Sequence, residues 1–303
     1  MYIGVGIAAV AFLGLYVSVL KNFRDAGERK SEPFVLGDQQ LTDGVAVDAT
    51  VLNVDPIKGE MIVRLSFEPL GSFAAGNGTP SHDLKLLVSA GSGNVERPFT
   101  KGKLMAPTDV TLELFDGQVT NYPFDHHKAQ LFAAMVLKPA SSTNASSGAS
   151  GESGTSSSAG STTTGEETLV PISMHVFESL HGFSLDVADA GEVDDGTIDA
   201  TLKADRASST VVFAVFVMVL MWLLAIGALL LSLSVLVGGR KVELAMFGFL
   251  GSLLFAFPAI RNVVPGTPPI GSLNDYLAFF WTEAIVAVSL LIILSVWIFR
   301  PAR

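Results

Sequence analysis

The sequence predicts a membrane protein with four transmembrane α-helices and an extracytoplasmic all-β domain, an antiparallel sandwich-like fold or a barrel, between the first two helices. Two observations predict this fold class. Charged residues make up 16% of the 303 residues, well below the roughly 25% of average soluble domains, and four long blocks with few charges account for the deficit. Between the first two blocks, apolar and polar residues alternate with the period of a β-strand.

Four stretches contain the run of about 20 apolar residues that a helix needs to cross a bilayer. In chain order they are Tyr2–Leu20, Val211–Val237, Val242–Ile260 and Tyr276–Phe299. The first is longer than the apolar region of a typical signal peptide, and no small-x-small cleavage site follows it. We therefore expect residues 1–20 to form an uncleaved anchor.

Residues 31–209 form the predicted β domain, and residues 210–303 form a predicted three-helix transmembrane region. The predicted strands are Val45–Val51, Met61–Phe67, Leu84–Val88, Val110–Leu114, Leu131–Leu137, Ile172–Phe177, Phe183–Val187 and Ile198–Leu202. Within the domain, residues 140–168 consist almost entirely of Ser, Thr, Gly and Ala. Because such a segment cannot contribute to a core, the sequence predicts a disordered insertion there.

Basic residues in short loops predict the orientation in the membrane. Arg240 and Lys241 lie in the turn between spans two and three, and Arg300 and Arg303 follow span four. These residues place the turn and the C-terminus in the cytoplasm. Four basic residues directly after span one favour the reverse, but we give the short C-terminal loops more weight. The sequence thus predicts a multi-pass plasma-membrane protein with its β domain outside the cytoplasm.

Composition excludes several function classes. The chain contains no cysteine, which excludes disulfides, iron–sulfur clusters, cysteine-ligated zinc and thiol catalysis. It has 19 Lys and Arg residues against 29 Asp and Glu residues, which leaves too little basic surface for a nucleic-acid partner. No phosphate-binding loop, zinc-protease helix or nucleophile elbow is present. We therefore expect no cofactor and name no catalytic residue.

Two segments that contain acidic residues or histidine are candidates for a metal site. In Asp125-His126-His127, neighbouring residues on a strand point to opposite faces, so at most two of the three could share an ion. Zinc needs three or four convergent ligands. The acidic run from Asp186 to Asp199 lacks EF-hand spacing and contains a turn signal. The sequence therefore predicts no metal site.

The first candidate site is the ectodomain motif Tyr122-Pro123-Phe124-Asp125. The proline presets a turn, and an aspartate after it can cap the following backbone. We expect both aromatic side chains of the motif to pack inward.

The second candidate site is a polar cluster at the outer membrane edge, formed by Arg261, Asn262, Asp275 and Glu283. Glu283 lies about two turns inside span four, where a carboxylate needs a partner or water. Arg261 is the nearest candidate partner, and Asp275 competes for it. Two interpretations stay open: a functional polar site, and a structural ion pair that locks spans three and four together.

These residues resemble a known family. The resemblance is carried by Phe255 to Glu283, with Pro258, Arg261-Asn262, Pro268-Pro269-Ile270-Gly271, Asp275 and Phe279-Phe280-Trp281. This stretch resembles the actinobacterial membrane family with domain of unknown function 4436, and Tyr122-Pro123-Phe124-Asp125 is similar to the ectodomain motif of that family. The resemblance implies an envelope protein of a mycobacterium or a relative. Members are similar to a protein implicated in lipomannan maturation and lipoarabinomannan synthesis.

The favoured function is that of a non-catalytic accessory factor in cell-envelope lipoglycan assembly. Its β domain would bind a partner protein or a lipid-linked glycan beside envelope glycosyltransferases at the bilayer. Gly248 and Gly251 permit close helix contact, within one chain or in an oligomer. One alternative is a membrane enzyme that acts on a lipid-linked sugar through Glu283, with Asp275 assisting. Another is a channel or transporter subunit.

Overall fold

The computed structural model describes residues 33–38, 40–90, 93–138, 168–190, 196–266 and 268–300, together with the isolated helical positions Gly14, Val17 and Lys21. The predicted first span, Tyr2–Leu20, lies outside the described residues except at Gly14 and Val17. The predicted insertion at residues 140–168 also lies outside them, except for its last residue.

The strands of the described part run from Phe34 to Arg206. They are β1 Phe34–Gly37, β2 Gly44–Asp55, β3 Glu60–Leu70, β4 Ala74–Gly76, β5 Thr79–Pro80, β6 Leu84–Ala90, β7 Gly93–Phe99, β8 Thr108–Asp116, β9 His126–Leu137, β10 Ile172–Glu178, β11 Phe183–Ala190 and β12 Thr197–Arg206. All eight predicted strands lie inside observed ones. The four that the sequence did not predict are short (β1, β4 and β5) or, in β7, mostly exposed without alternation, so they carry little periodic signal.

Ten of these strands form one nearly closed sheet around a single core. Its order is β1-β10-β2-β3-β8-β9-β12-β11, and β6 joins β7 to the last part of β9. Strand β8 pairs with β3 on one side and β9 on the other. It therefore connects two layers of the sheet, one formed by β1, β10, β2 and β3 and the other by β9, β12, β11, β6 and β7. On the opposite side, Leu169 bridges to Val136 of β9, and the carbonyl of Pro171 accepts a hydrogen bond from the backbone of Val45 in β2.

The predicted purely antiparallel sandwich needs one correction. Strand β10 pairs parallel with β2, with Met174 opposite Val47, and lies between β2 and β1. A parallel neighbour requires a long connection, and here strands β3 to β9 lie between the two partners in the sequence. Alternation along a strand shows which face is buried but not which strand lies beside it, so the sequence pattern could not show this pairing.

Alternating burial builds the core and also positions one charged residue. Along β12, every second side chain from Ile198 to Arg206 is buried. The apolar members of this row pack with the inner faces of both layers in one cluster that includes Leu131 and Met174. Because Arg206 continues the buried row at the end of the strand, the alternation directs a guanidinium group inward.

Three helices of the described part are long and apolar enough to cross a membrane. They are α1 Ser208–Leu236, α2 Leu244–Val263 and α3 Phe280–Phe299, and α3 is preceded by a π-helical turn at Asp275–Phe279. With the π-helical turn counted as part of the last one, they begin and end within three residues of the second, third and fourth predicted spans. Strand β12 ends at Arg206, so Ala207 is the only residue between the β domain and α1.

The helices have two distinct ends. The β domain and the loop between α2 and α3 lie at one end, where the backbone N–H of Asn274 donates to the carbonyl of Tyr122. At the other end, Arg300 donates from Nη1 to the carbonyl of Val235 and from Nη2 to that of Leu236, both at 3.2 Å. These bonds satisfy carbonyl groups in the last turn of α1.

Candidate functional site

The two predicted clusters meet where the β domain contacts the helices. We call this region the junction; it comprises Tyr122–Asp125, Arg206 and residues 264–275. The link between the clusters is the 3.2 Å hydrogen bond from the backbone of Asn274 to the carbonyl of Tyr122, next to Asp275. Residues that lie about 150 positions apart in the sequence therefore form one site.

Arg206 is at the centre of the junction. Its side chain is only 4% exposed, and its Nε donates to both carboxylate oxygens of Asp125, at 2.9 and 3.1 Å. The guanidinium carbon lies 4.2 Å from the ring centroid of Phe183 and 5.0 Å from that of Tyr122, which is within cation–π range. The charge is thus compensated by one carboxylate and held beside two aromatic rings.

Asp125 is fully buried and has a second partner in His127, whose Nε2 lies 2.9 Å from Oδ2. Burial raises the pKa of the Asp125 carboxyl, but the hydrogen bonds from His127 and Arg206 outweigh it, so the pKa lies below its usual range. Asp125 is therefore an ionised, hydrogen-bonded anchor. Its carboxylate binds two side chains, whereas the sequence predicted that it would cap the backbone.

Tyr122 belongs to the β domain but packs in the apolar cluster of the helices, together with Ala214, Val217 and Phe257. Its side chain is fully buried, and its hydroxyl has no hydrogen-bond partner among the described residues. Burial raises the pKa of this hydroxyl to about 12. Tyr122 thus inserts into the helical region as an apolar contact.

The prediction that both aromatic residues of the motif pack inward is wrong for Phe124, which is 54% exposed. The backbone N–H of Phe124 donates to the carbonyl of Asn121 at 2.9 Å. This turn carries Phe124 to the surface, while Tyr122 takes the buried position.

The Asp125-His126-His127 segment follows the predicted strand geometry. Strand β9 begins at His126, which is exposed, while His127 is buried. The two histidines lie on opposite faces, and the carboxylate of Asp125 already forms hydrogen bonds with Arg206 and His127. Within the part of the chain that the structure describes, no three metal-ligating side chains converge.

Arg261 in the last turn of α2 forms the second ion pair of the junction. Its Nε and Nη2 donate to the two carboxylate oxygens of Asp275, each at 2.9 Å. Nη2 also donates to the carbonyls of Pro268 and Pro269, and Nη1 lies 3.4 Å from Oδ1 of Asn262. Asp275 in turn accepts from the backbone of Gly271 at 2.8 Å. This network ties the end of α2 to the start of the π-helical turn and supports the structural interpretation of the cluster.

Glu283 lies outside this network. Arg261 is taken by Asp275, and Oε2 of Glu283 is shielded from solvent without a hydrogen-bond partner in the described residues. The structure therefore joins three of the four residues predicted at the membrane edge and leaves Glu283 on α3 apart from them.

The sequence analysis missed Arg206 and the contact that Gly266 makes with it. A Cβ atom on Gly266 would lie 2.6 Å from Nη1 of Arg206, and its φ of +81° also favours glycine. The available signal for Arg206 was the alternation of β12, which continues from Ile198 to an arginine on the buried face. A buried arginine requires an acidic partner, which the motif supplies at Asp125.

The first prediction concerns the buried pair. The substitution Asp125→Ala leaves the Arg206 charge without a partner, and we expect a loss of about 3–5 kcal/mol in the free energy of unfolding at pH 7. The pKa of Asp125 is lowered in the folded protein, so its contribution exists above the unfolded pKa and is lost as the pH falls through the folded value. The difference between wild type and variant should therefore shrink below about pH 4. Denaturant titration in detergent micelles, followed by circular dichroism, measures both effects.

The matched control is Asp109→Ala, which breaks the Arg64–Asp109 pair at 2.7 Å, whose side chains are about half exposed. Exposed pairs contribute at most about 1 kcal/mol. Equal losses for the two variants would contradict the assigned role of the Asp125–Arg206 pair.

The second prediction concerns Gly266. The substitution Gly266→Ala adds backbone strain and forces the new methyl group against Arg206, so we expect a lower melting temperature. Gly271→Ala is the control because Gly271 has a similar φ of +88° but has nothing within 4 Å of its added Cβ. A melting temperature equally low for both variants would mean that backbone strain alone accounts for the loss.

Comparison with known proteins divides the chain at the junction. Residues 35–203 match the family model described as domain of unknown function DUF4436. Residues 206–300 match a second model, described as domain of unknown function DUF8686. Thus the segment from Phe255 to Glu283 falls in the second model, while the Tyr122–Asp125 motif falls in the first. No curated protein matches the chain.

Neither description assigns an activity, so the two matches show which families the chain is related to but not what reaction or ligand it has. The first match spans more than half of the 303 residues and contains strands β2 to β11 in full. The chain therefore belongs to the DUF4436 family.

Proposed function

We propose that this protein is a multi-pass plasma-membrane protein that displays its β domain outside the cytoplasm as a non-catalytic binding module for cell-envelope assembly. The β domain binds a partner protein or a lipid-linked glycan, and the helices hold it at a fixed height above the bilayer. The observation that carries this proposal is the junction, where Tyr122 packs among apolar residues of the helices and its carbonyl accepts a hydrogen bond from the backbone of Asn274.

The surface of the helices supports membrane insertion. Large apolar side chains point outward along all three helices, including Leu223 on α1, Phe255 on α2 and Leu291 on α3. An apolar surface of this extent is typical of contact with lipid. The buried hydroxyls of Ser232, Thr282 and Ser289 bond to carbonyls of their own helices, an arrangement that favours an anchor over a polar pore.

The distribution of charge supports the orientation. Arg240, Lys241 and Arg300 lie at the end of the helices that is remote from the β domain. Residues 21–209 carry 14 basic and 26 acidic residues. Positive charge at one end is typical of the cytoplasmic side, and an acidic domain is repelled by anionic headgroups.

The use of polar groups supports a binding role. Asp125, Arg206, Arg261 and Asp275 all form short hydrogen bonds or ion pairs that connect elements of the junction. A catalytic acid or base would need a free face toward a substrate. A role in lipomannan or lipoarabinomannan maturation is supported by the family resemblance alone, and its partners would be envelope glycosyltransferases.

The third prediction tests the orientation, and because the chain contains no cysteine, any label on the purified protein reports the introduced residue alone. Lys103 in the β domain and Lys241 at the far end are both exposed. We expect Lys103→Cys to react with a membrane-impermeant maleimide on intact cells. Lys241→Cys should react only after permeabilisation. The opposite pattern would place the β domain in the cytoplasm and overturn the proposed function.

The enzyme alternative is favoured by one observation, the shielded and unpartnered Oε2 of Glu283. A carboxylate in that condition could serve as a general base for a lipid-linked sugar. The accessory role instead predicts that Glu283 is dispensable for activity.

The fourth prediction separates these two functions. Glu283→Gln keeps the shape of the side chain and removes its acid–base chemistry, so the accessory role predicts full complementation of a deletion strain. Asp275→Asn, which weakens the structural pair with Arg261, is the comparison variant and should lower the melting temperature. A folded Glu283→Gln protein that fails to complement would establish the enzyme alternative.

A further inference from the structure

A cleft of about 460 Å³ opens at the junction. Its walls come from the turn between β2 and β3, the turn between β10 and β11, the first turn of α1, and Pro265-Gly266 of the loop after α2. The cleft therefore lies where the β domain, the helices and the boundary of a bilayer would meet. Arg206 and Thr210 reach it from the two sides of Ala207.

Arg206 presents unused hydrogen-bond donors to this cleft. The ion pair with Asp125 uses Nε, and neither Nη1 nor Nη2 has a hydrogen-bond partner among the described residues. Neither nitrogen is fully shielded from solvent, so both retain access to the cleft. A guanidinium with free Nη donors matches the oxygens of a phosphate group.

The start of α1 adds a positive helix dipole on the same side. The first turn of α1 contains no acidic residue. Thr210 of this turn lines the cleft, with its backbone N–H donating to the carbonyl of Ala207 and its hydroxyl to the carbonyl of Gly182. The positive end of the helix dipole favours an anion at such a position.

The other ionisable groups of the cleft are His181 and Asp55. His181 is exposed on its wall. Asp55 is also on the wall, but its carboxylate accepts hydrogen bonds from the backbones of Ile57 and Lys58 and pairs with the Lys58 ammonium at 3.4 Å. Its negative charge is therefore held within the turn.

Apolar residues accompany these donors. Ile57 is 63% exposed on the cleft wall, next to Lys58, and Val119 and Phe183 line the same space. An exposed isoleucine beside phosphate donors is the combination expected for a ligand with a phosphate head and a hydrocarbon body.

We infer that this cleft binds the phosphate group of a lipid headgroup, with Nη1 and Nη2 of Arg206 as donors, the positive end of α1 beside them and Ile57 in contact with the lipid body. This inference deepens the proposed function, on which it rests for membrane insertion, by naming a ligand class for the junction. The charge of Arg206 thus serves both the ion pair with Asp125 and the ligand.

The test uses the full-length protein in neutral detergent micelles at constant pH. The probes are dioleoyl phosphatidic acid, dioleoylglycerol, which has the same chains without the phosphate, and inorganic phosphate. Native mass spectrometry counts lipid adducts, calorimetry measures phosphate binding, and melting temperatures report on folding. We expect phosphatidic acid to bind about tenfold more tightly than dioleoylglycerol, the ratio expected from one charge-assisted hydrogen bond.

Three variants locate the site. Arg206→Gln should weaken phosphatidic acid binding about tenfold, whereas Arg64→Gln, which removes an exposed arginine of the β domain, should not.

Ser208→Asp places a carboxylate in the first turn of α1, where it stabilises the helix but repels phosphate. Its binding should therefore fall while its melting temperature is kept, and this variant decides the question if Arg206→Gln does not fold. Ile57→Ser should weaken phosphatidic acid binding and leave the binding of inorganic phosphate unchanged.

Two results would overturn the inference. Equal binding of phosphatidic acid and dioleoylglycerol, or undiminished phosphatidic acid binding by Ser208→Asp, would remove the phosphate site. Inorganic phosphate binding as tightly as phosphatidic acid, with no effect of Ile57→Ser on either, would remove the lipid assignment. Both measurements are made in micelles, so they stay independent of the cysteine-labelling experiment that tests the proposed orientation.

Discussion

The buried ion pair between Arg206 and Asp125 is the interaction on which the arrangement of the whole molecule depends. It joins the last residue of β12 to the motif before β9, one residue away from the start of α1. Buried pairs of this kind contribute little net stability relative to apolar packing, but losing one partner is costly. The pair therefore holds the Tyr122–Asp125 motif against the end of β12, directly before α1, and Tyr122 of this motif packs among apolar residues of the helices.

Much of the fold was predictable because burial on one face leaves a periodic record in the sequence. Strands such as β2 and β12 alternate between buried and half-exposed positions, and lipid-facing helices must be apolar over their length. This periodicity does not show which strand pairs with which. Strand β10 has an ordinary alternating pattern, yet it enters the sheet parallel to β2 through a long connection, and no local signal specifies that partner.

The candidate site was predictable as two separate clusters but not as one. The pairing of Arg261 with Asp275 depends on a proline-rich loop that folds back so that the carbonyls of Pro268 and Pro269 complete the guanidinium's bonds. Counting helical turns from Glu283 could not show this closure. Phe124 illustrates the same limit, since a turn from Asn121 decides which aromatic of the motif is buried. Arg206 escaped notice because a single charge at a strand end is usually solvent-exposed.

The position of β10 between β1 and β2 also constrains how the molecule is made. When β2 leaves the ribosome, one of its edges can pair with β3 at once, but its other edge must wait for Ile172–Glu178, more than a hundred residues later. Non-local pairing of this kind is slow and leaves strand edges open to aggregation. A nascent chain halted before that point would leave one edge of β2 with unpaired backbone groups, because the strand that covers this edge would not yet have been synthesised.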